Sequence, residues 1–224
     1  MIRIQNIKLS LDEAVSKDRE HKNLKPKICE RYRISKNDIH DFSIHRKAVD
    51  ARKDRIQLVY HVNLSTSNET QLLHRFSKEI IIAEDQSYQE ASPGALKLKH
   101  RPIVVGFGPS GIFASYILAK QGYKPIVLER GLDVDQRTDA WEAFLKDRVF
   151  KESGSILFGE GGAGTFSDGK LTTLVNDYRS KMILDILIKA GANPEIGYLN
   201  KPHIGTDELK IVTKNIRQEI ARMG

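Results

Sequence analysis

A single cysteine, Cys29, in 224 residues rules out an internal disulfide framework and a thiolate metal site, since both need several sulfurs. Cys29 therefore reads as a small core residue, and a reducing cytoplasm as the expected compartment. Long apolar runs are also missing. Ile80-Ile81-Ile82-Ala83 and Ile112-Phe113-Ala114 fall far short of the ~20 residues that span a bilayer, so no membrane span is expected. The start, Met1-Ile2-Arg3-Ile4-Gln5-Asn6, has neither an apolar stretch nor a small-residue cleavage site, so no secretory signal is expected. Nor is there a concentrated charge of one sign. Lys and Arg number 36 against 29 Asp and Glu, a formal +7, divided as 18 against 14 in residues 1–98 and 18 against 15 in residues 99–224. Only a mild basic cluster stands between Lys17 and Lys36. Nucleic-acid binding needs basic residues gathered on one face, so a solvated basic surface is expected and nucleic acid is not an expected partner. Aromatics are sparse as well: Tyr32, Phe42 and Tyr60 form no aromatic RNA-recognition signature. No repeat or low-complexity tract is present.

What is there divides in two. Glu90-Ala91-Ser92-Pro93-Gly94-Ala95 punctuates the chain as a linker. Residues 1–92 read as an α+β domain of ferredoxin-like order. Ile2, Ile4 and Ile7 mark a first strand, and Ser10-Leu11-Asp12-Glu13 fits a capping box that opens a helix. Leu24, Ile28 and Tyr32 mark a second helical piece, with Pro26 in its first turn. Residues 42–49 and 56–64 alternate apolar and polar around Arg52-Lys53-Asp54, which predicts a hairpin across which His45 and His61 could face each other, although solvated strand histidines are far commoner than ligand pairs. Residues 79–83 make a last strand. No constellation of chemical groups stands out in this half.

Residues 99–224 read differently. Arg101-Pro102-Ile103-Val104-Val105-Gly106 and Pro125-Ile126-Val127-Leu128-Glu129 are β-branched apolar runs of the kind found in parallel strands buried on both faces. Between them, Ile112, Tyr116 and Ala119 have helical spacing that ends at Gly122. The turn joining strand to helix is Gly106-Phe107-Gly108-Pro109-Ser110-Gly111, a G-x-G-x-x-G, and Glu129 follows Gly111 by 18 positions. Alone the pattern is weak. After a strand, before a helix and with an acid closing the next strand, it is the context of a dinucleotide-binding fingerprint. Gly106 would allow the tight turn, Gly108 the approach of a pyrophosphate, and Gly111 the packing of helix on strand. Pro109-Ser110-Gly111 then open a helix whose free end amides and dipole favour phosphate. Glu129 would accept from a ribose diol and repel an added 2′-phosphate. The competing reading is a glycine turn that carries no nucleotide.

FAD and NAD share this fingerprint. Further on, Phe158-Gly159-Glu160-Gly161-Gly162-Ala163-Gly164-Thr165-Phe166-Ser167-Asp168-Gly169-Lys170-Leu171 is too rich in glycine for a helix or strand interior. Its backbone can approach a flat polar ligand closely, while Phe158, Phe166 and Leu171 predict that the loop is pinned down. These stretches, with Lys201-Pro202-His203-Ile204-Gly205-Thr206-Asp207, resemble the FAD-dependent dehydrogenases termed NAD(FAD)-utilising dehydrogenases, flavoproteins with a glutathione-reductase-type Rossmann domain. The resemblance covers about residues 100–224, and a further N-terminal module agrees with it. It implies an incomplete FAD-binding Rossmann-type domain, FAD as cofactor and NAD(P)H as a candidate electron donor. It also implies that Gly161-Gly162 is the doublet lining the flavin end, although no arginine follows that doublet. Arg130, Ala163, Gly164 and Thr165 join the candidate cofactor residues by position.

The remaining stretches read as helices: one holding Val134, Trp141, Phe144 and Leu145, one capped at Asn176-Asp177 and ending at Gly191, and one capped by Thr206 with Leu209, Val212, Ile216 and Ile220 on one face. The chain ends just past the last of these, so an N-terminal fragment of a longer flavoprotein is expected. His203 is a candidate acid or base, because its unperturbed pKa of about 6.5 suits proton transfer near neutrality. Lys170 is a candidate stabiliser of negative charge on a reduced flavin. The function expected is an FAD-binding oxidoreductase acting on a small molecule or electron partner. Two alternatives stay open: a NAD-dependent dehydrogenase, and a nucleotide-sensing binding protein whose first domain contacts RNA or protein.

Overall fold

Apolar residues at every second position pack the first sheet, and a four-residue apolar stripe supplies the helix that covers it. In a computed structural model of the chain, residues 1–52, 55–85, 87–171 and 177–224 are described. Lys53 and Asp54 of the expected hairpin turn, and Asn176 of the expected cap, lie outside the described residues. The chain is mixed α/β and divides into two units, residues 1–86 with 197–201, and residues 87–196 with 202–224.

In the first unit β1 (Ile2–Ser10), α1 (Lys17–Tyr32), β2 (Ile39–Asp50), β3 (Gln57–Thr66), α2 (Glu69–Arg75) and β4 (Ile80–Ile82) come in that order. The strands form one antiparallel sheet in the order β2-β3-β1-β4. Leu58, Tyr60, Val62 and Leu64 point to one face of β3 and meet Leu24, Ile28 and Tyr32 of α1 in a single core. Three local expectations change. Ser10 and Glu13 do exchange the bonds of a capping box, at 2.8 and 3.2 Å. They open only a 3₁₀ turn over Asp12–Ala14, because Ser16, accepting from Arg19 N at 3.3 Å, caps the true helix. Pro26 therefore lies inside α1 rather than in its first turn. In the hairpin, His61 stands opposite Arg46, since the register slips at His45. Burial, then Arg46 and Arg3, push the His61 pKa below its ordinary value.

In the second unit β5 (Ile103–Val105) runs parallel to β6 (Ile126–Leu128), joined through α3 (Pro109–Lys120). Then come α4 (Val134–Asp147), α5 (Tyr178–Lys189) and α6 (Thr206–Met223). Ile112 and Ala119 of α3, Ile186 and Leu187 of α5, and Val212 and Ile216 of α6 share the core. Neither strand is buried on both faces as its composition predicts: Val105 is 82% exposed, Ile103 62% and Leu128 53%. Among the described residues this sheet has two strands, and two strands leave most of their apolar surface uncovered. The start of α6 also differs. Ile204 N is held by Gly169 O at 3.0 Å in an extended bridge, the chain turns at Gly205, and Gly205 is the N-cap while Thr206 is the first helical residue.

Asp177 caps α5 by accepting from Arg179 N at 2.8 Å, and the Arg179 side chain pairs with it. Those bonds hold the Asp177 carboxyl at about 2, against its ordinary 3.8. The pKa is lowered in the folded chain, so the stability Asp177 contributes is present above pH 3.8 and is lost as pH falls toward 2. Asp177→Asn is therefore expected to flatten the acid limb of a pH–stability curve over that window, as measured by thermal unfolding.

No helix among the described residues is long and apolar enough to cross a membrane.

Candidate functional site

The glycine turn is built by backbone demands. Gly106 sits at φ +90°, a conformation that L side chains rarely adopt, and its N–H donates to Leu128 O at 2.7 Å, locking the turn to β6. A Cβ on Gly111 would lie 2.9 Å from the carbonyl carbon of Gly106 and closer still to its oxygen, so α3 rests on the turn only because that atom is missing. The first bond inside α3 is Ile112 N to Gly108 O at 2.9 Å, which leaves the amides of Ser110 and Gly111 at the open helix end. Pro109 occupies the first turn, where it has no amide to lose.

Glu129 closes this turn from below. One carboxylate oxygen accepts from Phe107 N at 2.6 Å and the other from Gly131 N at 2.7 Å. An ionised carboxylate offers about four lone-pair sites. Two are used here, so Glu129 both braces the turn and retains capacity for a ligand hydroxyl. Its neighbour Arg130 lies over the Phe158 ring at 4.0 Å.

The second glycine loop comes alongside. Gly161 N donates to Phe107 O at 2.9 Å. A Cβ on Gly162 would stand 3.0 Å from Pro109 Cδ, and one on Gly108 would find only Gly162 Cα, at 4.0 Å. Gly108, Pro109, Gly161 and Gly162 are thus brought together, with room over Gly108 that a side chain would fill. Ala163, Gly164 and Thr165 form a 3₁₀ turn beyond them. Ala163 and Gly164 are exposed, whereas Thr165 is wholly buried and its hydroxyl has no partner. An unmet buried hydroxyl costs on the order of 1–3 kcal/mol.

Three residues that sequence reasoning passed over hold this loop. Arg137 on α4 is fully buried. Its guanidinium donates to the carbonyls of Ser155 at 3.3 Å, Ile156 at 3.0 Å and Gly162 at 3.2 Å, and also to that of Glu160. The Phe166 ring lies 4.3 Å from it. Burial lowers the Arg137 pKa, while Glu129 and Glu160 act in the opposite direction. Glu160 is itself buried and accepts from Val134 N at the start of α4 at 2.7 Å and from Arg217 Nε of α6 at 2.7 Å. Burial pushes its carboxyl up. Arg137 in a charged helical stretch carries no mark that separates it from a solvated arginine. The only available signal was the run of carbonyl-rich glycine loop waiting for donors.

Lys170 and His203 meet as well. Leu171 N to Pro202 O and Ile204 N to Gly169 O, each 3.0 Å, frame them as a facing antiparallel pair. Both side chains are exposed, and Lys170 Nζ pairs with Asp168 at 2.6 Å. Among the described residues no group of three or more His, Cys, Asp or Glu is placed to hold a metal ion.

Residues 1–65 match the family described as "Domain of unknown function (DUF8436)". The whole chain is 49% identical over 225 residues to an uncharacterized protein of Clostridium beijerinckii, an alignment covering 100% of this chain and 41% of that protein. The chain thus spans about two fifths of the length of the curated relative it matches.

Proposed function

We propose that the chain binds FAD and belongs to a flavin-dependent oxidoreductase of the NAD(FAD)-utilising dehydrogenase type, working in the cytoplasm. The observation that carries this reading is the pairing of two glycine loops, Gly106–Gly111 and Gly159–Gly164, over the open end of α3, with Glu129 closing β6. Phosphates sit well on the Ser110 and Gly111 amides, where the missing Cβ of Gly108 leaves space. Glu129 has lone pairs left for the ribose, and Gly161, Gly162 and the Ala163–Thr165 turn supply backbone beside it. When bound, FAD supplies hydride chemistry, and the protein supplies placement and exclusion of water. NAD(P)H is the electron donor in this reading. The second unit is then the opening part of a Rossmann-type FAD domain, and the first, with its strand order β2-β3-β1-β4, a ferredoxin-like module.

The test is the visible spectrum of the desalted protein, expressed at the full length of its gene, before and after added FAD. A flavin band, released on denaturation and identified as FAD, is the expected result. A colourless protein that takes up no added FAD removes the reading and returns the fingerprint to NAD.

A further inference from the structure

Beneath the second glycine loop, α3, α5 and α6 leave a recess of about 270 Å³. Phe113, Ile183, Leu187, Leu209 and Ile216 wall it. Leu187 and Ile216 are buried, but Phe113, Ile183 and Leu209 are only half-buried, so apolar surface faces the opening instead of being consumed in packing. An apolar cavity of about 150 Å³ takes a benzene ring, so this one has room for two fused rings. It is small beside the roughly 300–1,000 Å³ of pockets for drug-sized ligands. The charged residues lining it are Asp168 and Lys170, which are exposed and paired with each other at 2.6 Å. The other polar side chains on the walls are the neutral hydroxyls of Thr165, Ser167 and Thr213, of which Thr165 is buried without a partner, and a hydroxyl alone does not compensate a buried charge, which disfavours an ionised ligand in the interior. Lys170 has three N–H donors and gives one to Asp168, which leaves donors for an uncharged acceptor. Asp168, held ionised by Lys170, repels an anionic head group.

We infer that this recess seats a small uncharged bicyclic ring bearing a carbonyl at its edge, the chemistry of a quinone, with the rings against Phe113, Leu187 and Leu209 and the carbonyl accepting from Lys170. Its role as an electron acceptor rests on the flavin reading above; its seat shares Pro109, Gly161, Gly164 and Thr165 with the candidate cofactor residues but needs no bound FAD.

The probe is 2,3-dimethyl-1,4-naphthoquinone, whose blocked ring positions prevent thiol addition by Cys29, with 2,3-dimethylnaphthalene as the partner lacking carbonyls. Binding of each is measured by equilibrium dialysis to the wild-type protein, Lys170→Met and Leu209→Trp, with folding checked by thermal unfolding. The quinone is expected to bind the wild type. Lys170→Met is expected to weaken the quinone roughly three- to tenfold, the range of one hydrogen bond, and to leave the hydrocarbon unchanged. Leu209→Trp fills the recess and is expected to weaken both at least about tenfold, as is Ile183→Trp on another wall should the first variant not fold. Absence of quinone binding, or equal binding by all the variants, overturns the proposal. Flavin uptake is read separately from the visible spectrum. Quinone binding by a protein that takes up no FAD keeps the recess and sinks the flavin reading, whereas FAD uptake without quinone binding sinks the recess alone. FAD that displaces the quinone marks the recess as the cofactor's own seat and also overturns the proposal.

Discussion

Gly111→Ala is expected to destabilise the second unit by about 3 kcal/mol or more and, on the proposed FAD reading, to abolish FAD uptake along with it. The added methyl group would meet the Gly106 carbonyl at a separation that non-bonded atoms do not adopt. Neither partner can move cheaply. Gly106 N is tied to Leu128 O at 2.7 Å and the next amide, Phe107 N, to Glu129 at 2.6 Å, while α3 is pressed from its other side by the α6 core. Overpacking of a core usually costs about 1–3 kcal/mol. Here the obstacle is backbone rather than a flexible side chain, which places the expected value at or above the top of that range. Urea unfolding reads the effect, with Gly94→Ala as the control. Gly94 lies in the linker with nothing within 4 Å of a built Cβ, and its replacement is expected to change the midpoint little. A Gly111→Ala protein as stable as wild type would show that α3 does not rest on the turn.

The same turn shows why one part of the site was legible in the sequence and another was not. Gly106, Gly108 and Gly111 are set by local backbone needs, which leave a local mark: three glycines at fixed spacing between a strand and a helix. Leu58, Tyr60, Val62 and Leu64 likewise declare their face by alternation alone. Where the outcome depends on what lies opposite, the pattern is silent. Ser10 and Glu13 make their reciprocal bonds whether or not a helix comes next, and the chain uses them to close a single turn. The slip that moves His61 opposite Arg46 belongs to the pairing of two strands and leaves no trace in either one. Ile103 and Val105 have the composition of buried strand residues, but burial needs neighbours, and among the described residues their sheet has two strands. Glu129 was readable as an acid at the right distance. That it braces Phe107 N and Gly131 N emerges only from the folded turn.

Arg137 lies at the far end of that scale, and its removal carries the second large effect. Its partners are carbonyls of residues 155, 156, 160 and 162, which have no side-chain signature and lie 18 to 25 positions away. Arg137→Met keeps much of the buried stem but leaves those carbonyls without a donor. Each unmet buried acceptor costs about 1–3 kcal/mol unless water reaches it, so the loop is expected to open to water rather than stay and bear the full sum. The expected loss is about 3–5 kcal/mol, the range for breaking a buried charged network. Amide exchange locates it: protection over residues 155–166 should fall while that of α1 and β3 stays at the wild-type level. Arg137→Lys is expected to recover little, because a single ammonium cannot reach carbonyls spread across a planar fork. If the loop lines a flavin, both variants should also lose FAD uptake at temperatures where α3 and α6 remain folded. That separation distinguishes a residue that positions the cofactor's loop from one that merely holds the unit together. Unchanged exchange over 155–166 in Arg137→Met would remove Arg137 from this role.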